Sequence, residues 1–167
     1  MLACFLLMGF GLPKNIEKKV FKELEKTFAQ ADVQLKAINV EAELNSKLAK
    51  RINGDNFFRV IKGEVNLGYV FIDKAPSKTA KFDYLVVFDE DLKIVHSKVL
   101  VYREEYGGEI GSTRWLKQFI GKTVGDRVSH ETNIDGIAGA TISVRSMTSA
   151  VDQILQTIGE LKENEVL

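Results

Sequence analysis

The sequence predicts an α+β fold, an antiparallel β-sheet with helices packed on it, from three observations. Four apolar segments between residues 57 and 102, rich in aromatic and β-branched residues, are separated by turn-forming stretches, as in a strand meander. Two further stretches, one on either side of that meander, repeat apolar residues every three or four positions, the period of one buried helix face. At 167 residues with 45% hydrophobic content, the chain can close one core and is too short for two. Successive strands joined by turns imply antiparallel pairing, with the helices gathered on one face of the sheet.

From the N-terminus, residues 2–12 (LACFLLMGFGL) form an apolar run that Pro13 ends. A membrane-spanning helix needs about 20 residues, so the run is too short for one but has the length of a signal-peptide apolar region. No positively charged stretch precedes it, and a first core strand or an ordinary hydrophobic N-terminus is the alternative reading. Asn15 can cap a helix in which Ile16, Val20, Leu24 and Phe28 line one face among Lys and Glu. Residues 33–40 alternate well enough for a strand, and residues 41–51 form either a short helix or a polar connection. Strands are expected over residues 57–61, 67–72, 82–88 and 94–102. The breaks between them fall at Lys62-Gly63-Glu64, across a longer loop at residues 74–81, and at Asp89-Glu90-Asp91. A final helix begins at Thr141 and carries Val144, Met147, Val151, Ile154, Ile158 and Leu161 on its buried face. The expected organisation is a leader over residues 1–13, a helix and connection over 14–55, and one domain over 56–167.

Composition excludes several functions. Lys+Arg of 23 against Asp+Glu of 23 leaves no net charge and no basic stripe, which disfavours nucleic-acid binding. One Cys, Cys4, and two His, His96 and His130, are too few for a zinc or iron–sulfur site. No Ser-His-Asp pattern, P-loop or Rossmann glycine signature is present, so no catalytic residue is assigned.

The stretch with most chemistry is Asp135-Gly136-Ile137-Ala138-Gly139-Ala140-Thr141, a Gly/Ala turn leading to a hydroxyl residue where the last helix begins. The first N–H groups of a helix lack intrahelical acceptors and the macrodipole is positive there, so Thr141 and Ser143 stand where a phosphate is favoured. Any strand-to-helix connection also needs permissive glycines and a Thr or Ser cap, and the motif alone does not separate the two readings.

This segment resembles the flavinylation motif Asp-x-x-(Ser/Thr)-Gly-Ala-Thr of FMN-binding domain proteins, such as the G subunit of Rnf electron-transport complexes and the C subunit of sodium-translocating NADH:quinone reductase. Asp135, Gly139, Ala140 and Thr141 match, and Ala138 departs from the hydroxyl position. A second resemblance lies in VLVYREEYGGEIGSTRWLKQFIGK, residues 99–122, which is similar to the family's strand exit through a Glu-Thr-Pro-Gly-like turn and its following Trp-x-x-x-Phe-x-Gly-Lys element. Here the turn is Glu105-Tyr106-Gly107-Gly108-Glu109-Ile110 without the Thr-Pro, and the element is Trp115, Phe119, Gly121 and Lys122. The resemblance covers residues 56–161.

The resemblance implies FMN joined by a phosphoester to Thr141, installed from FAD by a flavin transferase, with Asp135, Gly139, Ala140, Ile142 and Ser143 around it. On the other side, Gly107 and Gly108 let backbone approach the flavin ring, Tyr106 is placed to stack on it, and Glu105 lies beside them. Arg145, one turn into the helix, is a candidate cation for the phosphate or an ordinary exposed residue, and Trp115 reads as core. The implied function is an electron carrier between upstream and downstream redox proteins, membrane-bound ones included, and the apolar leader gives an extracytoplasmic expectation. The alternatives are a reductase holding FMN noncovalently and a binding or structural module of the same fold that has lost the cofactor.

Overall fold

The computed structural model describes residues 11–167, so the leader expectation lies almost entirely outside the described residues. Elements follow in the order α1 (Lys14–Phe28), β1 (Gln34–Ala37), α2 (Ala42–Lys47), β2 (Phe57–Lys62), β3 (Val65–Pro76), β4 (Lys81–Phe88) and β5 (Ile94–Val101). Short helical turns then lead through α3 (Thr113–Leu116) to the long α4 (Thr141–Glu163). The five strands form one sheet in the order β1-β2-β3-β4-β5, every neighbouring pair antiparallel, an α+β architecture. Among the described residues no helix is long and apolar enough to cross a membrane.

The helices do not gather on one face. Ile16, Val20 and Leu24 of α1 pack with Phe58, Val60, Val70, Ile72, Leu85 and Val87 on one side of the sheet. The buried stripe of α4, including Met147, Val151, Ile154 and Ile158, packs with Phe57, Phe71, Phe82, Tyr84 and Phe88 on the other. Alternate strand side chains thus enter different cores, which is why β4 reads as an almost unbroken apolar run. Polar-out alternation marks a sheet covered on one face, so its absence from β4 agrees with two covered faces and not with the expected one.

Several boundaries differ from the expected ones. β3 extends to Pro76, and Asp73, Lys74, Ala75 and Pro76 pair with Tyr84, Asp83, Phe82 and Lys81, so the expected long loop shrinks to residues 77–80. Two charges disguised this strand end. Asp73 forms an ion pair with Lys50, and the Lys74 ammonium lies 3.8 Å from Asp83. Pro76 takes the last strand position, where a missing N–H interrupts no interior pairing. β1 is shorter than residues 33–40, although Val33 and Ile38 beyond its ends are buried. Residues 41–51 contain the short helix α2, whose Asn45 side chain bonds both the N–H and the C=O of Ile52. At α1 the N-cap is Pro13 and not Asn15, which lies inside the first turn. The fixed φ of proline suits that entry, and the carbonyl of Pro13 accepts from the N–H groups of Ile16 and Glu17.

Candidate functional site

A cleft of about 870 Å³ opens where three segments meet: the exit of β5, the turn between β3 and β4, and the N-terminus of α4. That volume lies within the roughly 300–1,000 Å³ of small-molecule sites.

The α4 wall follows from its sequence. Ala140 is the N-cap and no side chain caps the helix; the first intrahelical bond runs from the Val144 N–H to the Ala140 carbonyl at 2.9 Å. The N–H groups of Thr141, Ile142 and Ser143 therefore have no carbonyl to reach within the helix. Neither Thr141 nor Ser143 is the cap: Thr141 is the first helical residue and exposed, and the buried Ser143 hydroxyl lies 3.0 Å from the Tyr102 hydroxyl. Just before the helix, the Ala140 N–H donates to the Ile137 carbonyl at 3.1 Å, with Gly139 at the third position of that turn and φ of 78°. A positive φ there is what a type II turn requires, and glycine supplies it without strain.

The loop leading into this wall is anchored by backbone contacts. The Trp115 indole N–H donates to the Asp135 carbonyl at 2.7 Å, and the Asp135 N–H donates to the Gln118 side chain at 2.8 Å. Farther back, Asp152 of α4 accepts from Nε and Nη2 of Arg127 at 2.9 and 2.8 Å and from the Val128 N–H. The Arg127 hydrogen bonds hold the Asp152 carboxyl below its ordinary range, against the opposing effect of burial.

Opposite stands the exit of β5. Glu104 accepts from the Ser77 hydroxyl at 2.6 Å, from the N–H and hydroxyl of Thr79 at 2.7 and 2.8 Å, and from the Ala80 N–H at 3.1 Å. Those donors stabilise the charged form, the Ser77 hydroxyl most, and bring the carboxyl down to about 2. Glu104 thus ties the strand exit to the 77–80 turn and aligns two edges of the cleft. Arg103 bridges the same region, donating to the Lys81 carbonyl at 2.7 Å and pairing with Asp83 at 2.6 Å.

The two walls touch at Gly107. Its φ is 81°, and a Cβ there would stand 2.8 Å from the Ala140 Cβ and 3.0 Å from the Tyr102 hydroxyl. Only a residue without a side chain lets the strand-exit turn close on the start of α4.

Thr141, Gly139, Ala140, Ile142, Ser143, Glu105, Tyr106 and Gly107 all line this cleft. Asp135 and Gly108 do not: the Asp135 backbone is held by Trp115 and Gln118, and it lines a neighbouring depression with them. Arg145 is exposed on α4 outside the cleft, while Trp115 is core, packed edge-on against Phe119. The sequence reading missed Lys78, Thr79, Tyr102, Arg103, Glu104 and Ala138 as lining residues. Tyr102 was legible only as a strand end, and Lys78 and Thr79 belong to a turn twenty-odd residues upstream of the second motif.

Residues 79–156 match the family model of the FMN-binding domain, a segment that contains both motifs and nearly the whole cleft. Over this segment the chain is similar to the FMN-binding domain family, which supports FMN as the ligand of the cleft. Among curated proteins, none matches the chain.

The residues present fit that cofactor. An uncapped helix start presents three backbone donors beside an exposed hydroxyl, as a phosphate needs. Lys78 and Arg103 add cationic groups to the same cleft, and Tyr106, 79% exposed, and Ile142, 48% exposed, offer apolar surface for a ring. Among the described residues no group of His, Cys, Asp and Glu could hold a metal ion.

Proposed function

We propose that this chain is an electron-transfer protein whose FMN is attached through a phosphoester to Thr141. The observation that supports it most is the exposed Thr141 hydroxyl at the uncapped start of α4, inside the cleft shared by both sequence motifs. Attachment balances as a transfer from FAD: the Thr141 oxygen bonds to the phosphorus bearing riboflavin, the phosphoanhydride breaks, AMP leaves and the hydroxyl proton passes to base. A flavin transferase would supply that base and the positioning.

In this reading the N–H groups of Ile142 and Ser143 hold the phosphate, the turn at Gly107 sets backbone close to the ring, and Glu105 and Glu109 place negative charge near it. When bound, FMN supplies a ring that takes up and passes on electrons. The exposed rim at Tyr106 leaves an approach for redox proteins that deliver and receive them. Tethering keeps the cofactor with the carrier between encounters, as in the Rnf G and NADH:quinone reductase C subunits that the motifs resemble. The apolar run at residues 2–12 supports an extracytoplasmic location near the membrane's outer face, with residues 56–167 as the flavin domain.

Expression with and without a flavin transferase, followed by acid precipitation, tests the reading. Yellow colour that stays with the precipitated chain only when the transferase is present is the expected result. Colour released into the supernatant would replace the tethered carrier with a noncovalent flavin reductase, and no colour in either preparation would point to a module without cofactor.

A further inference from the structure

A second concavity, of about 450 Å³, lies on the other side of β5, between the C-terminal half of α1 and the segment running through α3 to Ile120. Its charged side chains are unequal in sign: Lys26, Lys98 and Lys117 face it against one carboxylate, Glu23. That carboxylate is engaged within the molecule, with its oxygen 2.8 Å from His96 Nε2. On the rim stands Ile120, 43% exposed, one of few large apolar side chains so exposed among the described residues.

β5 is an edge of the sheet. At one end, the N–H and C=O of Ile94 bond Lys122 and Gly121, both at 2.8 Å; at the other, the Leu100 carbonyl accepts from Lys19 at 2.8 Å. Between these closed ends, residues 95–98 form the floor of the groove. A strand edge flanked by cations favours an extended chain carrying negative charge, because edge backbone can pair with it and the lysines select its sign. The segment that lines the flavin cleft at Gly107 and Glu109 goes on to line the groove at Gly111 and Thr113.

We infer that this groove docks an extended acidic segment of a partner protein, with an apolar side chain of that segment seated against Ile120. The docking itself requires no flavin, so it stands or falls separately from the electron-carrier reading; only the identity of the partner as a redox protein rests on it.

The test is an amide chemical-shift titration of the full chain with a ten-residue alternating Glu–Val peptide, beside a Lys–Val peptide and free glutamate. Shifts confined to residues 95–98, 111–120 and the end of α1, given by the Glu–Val peptide alone, are expected. They should weaken at least about tenfold in the K26E/K98E/K117E variant, and weaken on raising salt from about 20 to about 200 mM. The single variant Ile120→Asp, on the exposed rim, should weaken binding too while leaving the spectrum otherwise unchanged. No localised shift, an equal response to the Lys–Val peptide, or the same shifts from free glutamate at matched carboxylate concentration would each overturn the inference, the last by reducing the groove to a small-anion site.

Discussion

Two helices cover the two faces of one sheet and both begin without a side-chain cap, yet among the described residues only α4 begins in a cleft built from several segments. The first turn of α1 closes on the Pro13 carbonyl, and among the described residues the concavity beside it is lined by side chains of α1 alone. α4 starts instead beneath the Gly107 turn, with Tyr102 against Ser143 and Lys78 across the opening. Both helix starts have free N–H groups, but only at α4 do other segments enclose them beside a hydroxyl side chain.

The comparison can be pressed with substitutions, beginning with the largest effect. Ile154→Ala on α4 removes a fully buried side chain facing the aromatic core, and denaturant unfolding should show a loss of about 2–5 kcal/mol. Next comes Trp115→Phe, which keeps the ring in the core but leaves the Asp135 carbonyl without its donor. About 1–3 kcal/mol should be lost, with amide shifts that reach the residues 135–141 turn. Gly107→Ala tests the junction of the walls directly. A left-handed φ and a Cβ 2.8 Å from Ala140 predict a cost of about 1–2 kcal/mol and a measurable drop in flavin content, while the α1 side of the sheet keeps its spectrum. If flavin content and stability are both unchanged, the walls do not need to touch.

The smallest effect concerns pH. The folded Glu104 carboxyl sits near 2, below its ordinary 4.5, so its hydrogen bonds contribute in full above the ordinary value and are lost as pH falls through the folded one. Between about 4.5 and 2 the 77–80 turn should loosen first, seen as faster exchange of the Thr79 and Ala80 amides. Glu104→Gln should abolish that pH dependence, because the side chain no longer titrates.

Much of this was legible in the sequence where one period dominated. The α4 stripe from Val144 to Leu161 and the α1 stripe were readable because their buried positions recur every three or four residues. The sheet's meander was readable because apolar segments alternated with turn residues. What escaped detection depended on partners distant in sequence. The β3 end at Lys74 was expected as loop because its partner Asp83 lies beyond the next turn, and the nearly unbroken apolar run of β4, the mark of a strand buried on both faces, was expected only as a strand. Within the cleft, Thr141 and its neighbours were found because they form a contiguous motif, whereas Tyr102, Lys78 and Glu104 join it only through the β3–β4 turn and the strand end. Asp135 belongs to the motif in sequence but contributes its backbone, which a motif cannot distinguish from a side-chain role.

The proposed attachment puts the flavin on the Thr141 hydroxyl at the start of α4. The most direct measurement is intact mass with in-gel fluorescence of denatured wild type, Thr141→Ala and Thr141→Ser, each expressed with a flavin transferase. One FMN adduct on wild type, none on the alanine variant and a retained or reduced adduct on the serine variant is the predicted pattern. An adduct that persists in the alanine variant would place the flavin on another residue and contradict the account.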